Sequence, residues 1–408
     1  MRSLSLSFLV CLLGLFTSCL DKSVSSHANT EKGNEQISLS ENLAKVISGE
    51  IGTCSDQQKI FITDVNGDSK DDIVKLSDNN ELVEVITYLN RGETLYESSK
   101  NINGGWSVDK DHYLADVNGD GIKDLVAVYK RDYGTGIIWF RTEVFQSYGN
   151  GFSNVSNEYT SSWVEGKKHI FGNLNFDQKE DMLEVYNTAS YINYSINTSD
   201  GTRFNNHSSS TENGDFSNSF TFLSDINGDS ICDVITLAKV NDNLKMYLYL
   251  LDNSQMVLSS MHTLTSCSDD MKFNFLDYNQ DSKSDLIITQ SKSGFLKIEI
   301  FTSNGDDLSQ AHDFTISEWI NNGLLDFEVK DNLLTLRHIY ETNGYFKLDL
   351  YTMNDSMFEK TDECIIGEWP GKTSIRSAEL DDNQENDFYI MQTKSDNFIY
   401  IKGYTYSN

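Results

Sequence analysis

Basic residues are scarce in this chain. Its 408 residues hold 32 Lys and Arg against 62 Asp and Glu, a formal charge of −30. No basic patch exists to neutralise phosphates, which excludes nucleic acid as a partner. Helical patterning is missing too: beyond the N-terminus no segment shows a 3.6-residue hydrophobic period. The apolar run at residues 4–15 is too short to span a bilayer. Catalytic signatures are equally absent. No G-x-S-x-G, paired-histidine or P-loop pattern occurs, and His27, His112, His169, His207, His262, His312 and His338 show no metal-ligand spacing. The many carboxylates cannot be paired into a glycosidase dyad from sequence, so an enzyme is not the expectation.

What the chain does have is an acidic loop that recurs. It reads DVNGDSKDDIV from residue 64, DVNGDGIKDLV from 116, DINGDSICDVI from 225 and DYNQDSKSDLI from 277. Oxygen-bearing side chains fall at loop positions 1, 3, 5 and 9. These are Asp64, Asn66, Asp68 and Asp72; Asp116, Asn118, Asp120 and Asp124; Asp225, Asn227, Asp229 and Asp233; and Asp277, Asn279, Asp281 and Asp285. Hard oxygen donors at this density suit Ca²⁺, which takes six to eight oxygens. A weakened copy, NLNFDQKEDML, offers Asn173, Asn175, Asp177 and Asp181, and a C-terminal one offers Glu379, Asp381, Asn383 and Asp387. Four to six structural Ca²⁺ ions are expected. An EF-hand would need a ligand at position 12. Lys75, Ala127, Thr236 and Ile288 stand there.

A second marker sets the register. Ten residues before loop position 1 stand Cys54, Trp106, Trp163, Asp215, Cys267, Trp319 and Trp369, at spacings of 52, 57, 52, 52, 52 and 50. Trp319 predicts a sixth loop near residue 329, where EVKDNLLTL leaves only a short turn. A repeat this long means an array of like units. Within each unit, runs of aromatic and β-branched residues between turn formers predict about four antiparallel strands. Seven such units predict an all-β, seven-bladed β-propeller. The last unit is one strand short, and residues 36–49 are expected to supply it, closing the ring and removing an exposed edge.

At these loops the chain resembles the FG-GAP/VCBS repeat family, which includes the integrin α-chain propeller. The resemblance covers residues 36–408 and implies seven blades with Ca²⁺ in the loop between the first two strands of a blade. It also implies that partners engage the face opposite those loops. The expected function is a binding or adhesion module for a protein or surface glycan, acting as a monomer. The alternatives on the same fold are a lectin or a polysaccharide lyase-like enzyme.

Three further expectations follow. Residues 1–18, with Arg2 and the apolar run, read as a signal peptide. Their end resembles a bacterial lipobox, which implies a lipidated Cys19, a flexible tether over 19–35 and a place at the outer membrane or cell surface; the alternative is plain secretion. Of the mature cysteines Cys54, Cys232, Cys267 and Cys364, a Cys54–Cys364 pair on blades one and seven is the expected bridge. Trp106, Trp163, Trp319 and Trp369 ring the non-acidic face, either wedging blades apart or forming a ligand platform. The Asn-, Ser- and Tyr-rich stretch 186–217 is expected to hold one strand and enlarged connections.

Overall fold

The computed structural model describes residues 43–406, apart from residues 55–57, 108–109, 133, 135–137, 253, 269, 293, 318, 321–322, 331–332, 355–356, 369–372, 382–386 and 394–397. Seven four-stranded antiparallel sheets follow one another as the blades of a propeller. Blade one is Gln58–Thr63, Asp72–Asn79, Leu82–Asn90 and Leu95–Gly105, and blade five is Met271–Leu276, Asp285–Lys292, Phe295–Ser303 and Leu308–Ile316. Blades two, three, four and six occupy residues 110–162, 168–213, 219–266 and 324–368 in the same order.

Blade seven is built differently. Thr373–Ala378, Asp387–Thr393 and Phe398–Tyr406 come from the C-terminal end, and Leu43–Thr53 pairs antiparallel with Phe398–Tyr406 as the outer strand. The described strand runs on past residue 49 to Thr53. Of that segment, 36–42 lie outside the described residues, as do the signal peptide, the tether and Cys19.

Burial explains which residues occupy which strand. The second strand of a blade is covered on both faces by neighbouring blades. It opens with a continuous buried run, as in DIVKL from Asp72 and DVITL from Asp233. The outermost strand meets solvent on one side, and Phe204–Asn213 is accordingly exposed at alternate and flanking positions. This accounts for the stretch 186–217. It contains two regular strands, Tyr191–Ser199 and Phe204–Asn213, joined by four residues, rather than one strand with enlarged connections. Its Asn and Ser content reflects an outer edge in water.

The core is divided into seven apolar clusters, one at each blade interface. Val74, Leu76 and Val85 of blade one meet Leu125 and Phe145 of blade two. Phe222 and Leu248 of blade four meet Phe273 and Phe275 of blade five. Ile47 and Ile51 of the N-terminal strand lie with Tyr389 and Ile401 of blade seven and Ile73 of blade one. Cys364 sits in Phe358–Glu368, the outermost strand of blade six, as a buried thiol in the cluster between blades six and seven. Cys54 belongs instead to the cluster between blades seven and one. The expected Cys54–Cys364 bridge is therefore not made: Cys364 belongs to blade six, and the two residues lie at different blade interfaces.

Candidate functional site

The acidic loops join the first and second strands of their blades and lie on one face of the ring. Each is organised by carboxylates accepting from its own backbone. Asp64 Oδ1 accepts from Gly67 N at 2.7 Å and Oδ2 from Ser69 N at 2.8 Å. Asp116 does the same with Gly119 and Gly121, and Asp225 with Gly228 and Ser230. Asn66 Oδ1 accepts from Asp68 N at 2.8 Å, and Asp68 Oδ1 from Lys70 N at 3.0 Å. This chain of Asx turns needs a left-handed residue at position 6, where Ser69, Ser230 and Ser282 have φ of 66°, 69° and 69°. At position 4, Gly228 has φ of 79° and leaves no room for a side chain: an added Cβ would stand 3.1 Å from Ser282 O of the next blade.

Position 9 is the most constrained. Asp72, Asp124, Asp181, Asp233, Asp285 and Asp387 are fully buried. Asp72 Oδ2 accepts from Val65 N at 3.2 Å, inside the loop, and Oδ1 accepts from Asn90 N at 2.8 Å, on the third strand. The pattern recurs for Asp124, Asp181, Asp233 and Asp285. In blade seven, among the described residues, Leu380 N alone reaches Asp387, and Oδ1 has no partner. Burial, and then the nearby carboxylates at positions 5 and 1, push Asp72, Asp124, Asp233 and Asp285 up to about 7. Burial, and then Asp381 and Glu379, raise Asp387 to about 8; burial, and then Asp71 and Glu328, raise Glu379 to about 7.

The donor set suits a hard cation: every candidate ligand atom is oxygen, and each buried position-9 carboxylate is repelled by neighbouring carboxylates of its loop. As placed, the oxygens face backbone N–H groups, and among the described residues no three His, Cys, Asp or Glu side chains are gathered as a ligand set. The third loop differs at position 9, where Asn175 Nδ2 donates to Asp181 Oδ2 at 2.9 Å. Its Lys179 Nζ donates to Asp177 Oδ2 at 2.8 Å, as Lys283 Nζ does to Asp281 Oδ2 at 3.1 Å in blade five. Asn383 lies outside the described residues, and the sixth unit has no loop because Leu324–Lys330 and Leu333–Thr342 are two residues apart.

The same loops stitch adjacent blades together. Glu180 N donates to Asp116 O at 2.7 Å, Cys232 N to Asn173 O at 2.8 Å, Ser284 N to Asp225 O at 2.7 Å and Asp71 N to Glu379 O at 2.6 Å. A serine at the end of the third strand reaches the position-2 carbonyl of the preceding blade: Ser147 to Val65, Ser199 to Val117 and Ser303 to Ile226, at 2.8, 2.6 and 2.6 Å. Asn90 Nδ2 makes the corresponding bond to Leu380 O at 3.0 Å across the ring closure. None of these bonds is visible in the repeat as a metal motif.

On the opposite face the marker positions are packed. Trp319 is 7 % exposed and stacks on His338 with ring centroids 3.9 Å apart. Trp106 and Trp163 are half-buried against the clusters of blades one–two and two–three. Trp369 lies outside the described residues. The backbone N–H groups of Trp106, Trp163, Cys267 and Trp319 each bond a carbonyl in the turn between the second and third strands of the blade just completed. In unit four that bond, to Thr188 O, is made by Phe216 and not by Asp215. Phe216 is fully buried between blades three and four. The aromatic position is thus continued one residue along, and the ten-residue count concealed it.

Residues 64–127 match the FG-GAP-like repeat family. No curated protein sequence matches the chain. Among solved structures, one that describes specific recognition of non-reducing terminal N-acetylglucosamine by an Agrocybe aegerita lectin is 13 % identical, with a TM-score of 0.51 over 78 % of this chain and 81 % of that one. A functionally unknown protein from Desulfotomaculum acetoxidans is 11 % identical, with a TM-score of 0.42 over 78 % and 90 % of the two chains. An exotype rhamnogalacturonan lyase is 10 % identical, with a TM-score of 0.42 over 90 % and 76 %. The chain is a seven-bladed β-propeller carrying an FG-GAP-like repeat.

Proposed function

We propose that this propeller is a non-enzymatic binding module of the bacterial cell envelope, engaging a protein or surface glycan through the face opposite its acidic loops. The observation that carries this reading is the division of labour between the two faces. The acidic face is consumed by Asx turns and inter-blade bonds, which fix the ring. The other face keeps the variable connections, including exposed Val164 and Ile320 beside the packed tryptophans. The likeness to a lectin that recognises terminal N-acetylglucosamine favours a glycan among the possible partners.

Ca²⁺ belongs to the same reading as a structural ion. The loops starting at Asp64, Asp116, Asp225 and Asp277 would hold it, with the Glu379 loop as a further candidate. It would supply positive charge where three carboxylates crowd. Cys19 would carry the lipid that tethers the module; a Cys19→Ser protein that still fractionated with membranes would remove that part.

A glycan array and a surface-protein pull-down with the mature chain, in Ca²⁺ and in chelator, test the binding function. A specific hit abolished by Ile320→Glu, with the melt unchanged, is the expected result. No hit under either condition would overturn the reading.

A further inference from the structure

Between blades five and six the non-acidic face opens into a small, partly open cleft of about 110 Å³. Its wall on blade five follows from register. Lys272 pairs with Thr289, and Ser291 pairs with Leu296, so these four side chains stand on the same face of the sheet. The opposing wall is Leu325 paired with His338 on blade six, and Trp319, Ile320 and Gly323 close the cleft from the connection. Asp270 completes the lining.

Lys272 is the unusual member. Its side chain is exposed to solvent, while the neighbours that cover part of it lower its pKa. No ion pair or hydrogen bond joins it to any described residue, and Asp270 nearby does not pair with it. The repeat supplies its own control. Lys59 holds the same place in blade one, five residues before loop position 1. There the equivalent residue of the next blade, Asp111, meets it at 3.6 Å, and Lys110 O accepts from Nζ at 3.2 Å. In blade six the equivalent residue is Leu324. The counter-charge present at the first interface is thus replaced by an apolar residue at the fifth.

We propose that this cleft is a binding site for a carboxylate-bearing sugar residue, whose carboxylate takes the place on Lys272 Nζ that Asp111 takes on Lys59. A monoanion fits better than a phosphate dianion, since one ammonium is present in a chain of net charge −30 that repels multiply charged anions. A sugar ring suits the rest of the lining. The Thr289 and Ser291 hydroxyls and the Asp270 carboxylate meet ring hydroxyls, while Leu325 and Ile320 meet the apolar ring face. This site rests on the binding-module reading and specifies its ligand.

The test is a titration of the mature protein with the methyl glycoside of glucuronic acid, with its neutral methyl ester and with methyl glucoside, followed by calorimetry or ligand-observed NMR. Binding of the free acid, at least about tenfold weaker for the ester, is expected from loss of a charge-assisted hydrogen bond. Lys272→Met should abolish the preference for the acid, and Lys272→Arg should retain it. The folded state of each variant is checked by its melt. Equal affinity for acid and ester, no binding of the acid, or an acid preference that survives Lys272→Met would overturn the proposal. If the uronoside fails while the array or pull-down yields another partner, the binding module stands and only this site falls.

Discussion

His169 illustrates how far single residues depart from their ordinary chemistry inside the blade interfaces. It is 4 % exposed, stacks on Phe140 with centroids 5.2 Å apart, and neither ring nitrogen has a hydrogen-bond partner. Burial first, then the positive charge of Lys167, lowers its pKa to about 3, and His112 is lowered well below its usual value on similar grounds. The folded chain therefore holds these imidazoles neutral, whereas the unfolded chain protonates them below pH about 6.5. More protons are bound by the unfolded state between those two values. The stability is fully present above pH 6.5 and falls with acidification at about 1.4 kcal/mol per pH unit for each group. His169→Phe keeps the stacking and removes two unpaired polar atoms. It should stabilise the protein more at pH 5 than at pH 8, by about 2 kcal/mol from the pKa difference alone. Urea denaturation at the two pH values measures it; an equal effect at both would refute the argument. This role is not legible in the sequence, since a histidine on a strand looks the same whether its nitrogens are paired or not. Much of the residue-level pattern was legible, because loop positions 1, 3, 5 and 9 must be oxygen-bearing wherever the hairpin recurs. Phe216 was missed because a one-residue shift breaks a spacing rule without breaking the backbone bond that the rule tracks.

At the scale of elements, the N-terminal strand carries more than its length suggests. Leu43–Thr53 pairs along Phe398–Tyr406, and its Ile47 and Ile51 are fully buried between blades seven and one. Without it, blade seven would end in an unpaired strand edge beside an emptied cluster. Deleting residues 36–53 should lower the melting temperature of the whole ring and broaden the transition, because the two blades that meet at the closure lose shared apolar contacts. The check is a calorimetric scan beside a control shortened only to residue 36. Coincident melts would show that the strand is dispensable. The strand count was legible because a unit missing its fourth strand demands one from elsewhere. The strand's boundaries were not, since the polar and apolar residues of 36–53 alternate loosely and two register irregularities interrupt the pairing near Lys45 and Glu50. The blade-three segment misled for a related reason: composition alone does not separate an exposed outer strand from a loop.

For the whole molecule, the acidic loops couple charge to closure of the ring. The same short segments that crowd carboxylates also donate and accept the bonds joining blade to blade, as at Asp116 with Glu180 and at Asp225 with Ser284. Lys123 and Glu180 add an ion pair at 2.7 Å beside the first of these junctions. A cation bound at one loop would therefore steady two blades, and its effect should sum around the ring. With a formal charge of −30, the chain gains further from any bound positive charge. At a hundredfold excess of Ca²⁺ over its Kd, each occupied loop should contribute about 2.7 kcal/mol to folding. A chelator should lower the melting temperature and added Ca²⁺ should restore it. The third loop gives the internal control, since Asn175 Nδ2 already donates to the position-9 carboxylate of Asp181 there. Asp229→Asn should reduce the Ca²⁺-dependent gain, whereas Asp177→Asn should leave it unchanged. A melt indifferent to chelator and to Ca²⁺ would remove the metal from this account and leave the Asx turns and inter-blade bonds as the sole reason for the repeated carboxylates.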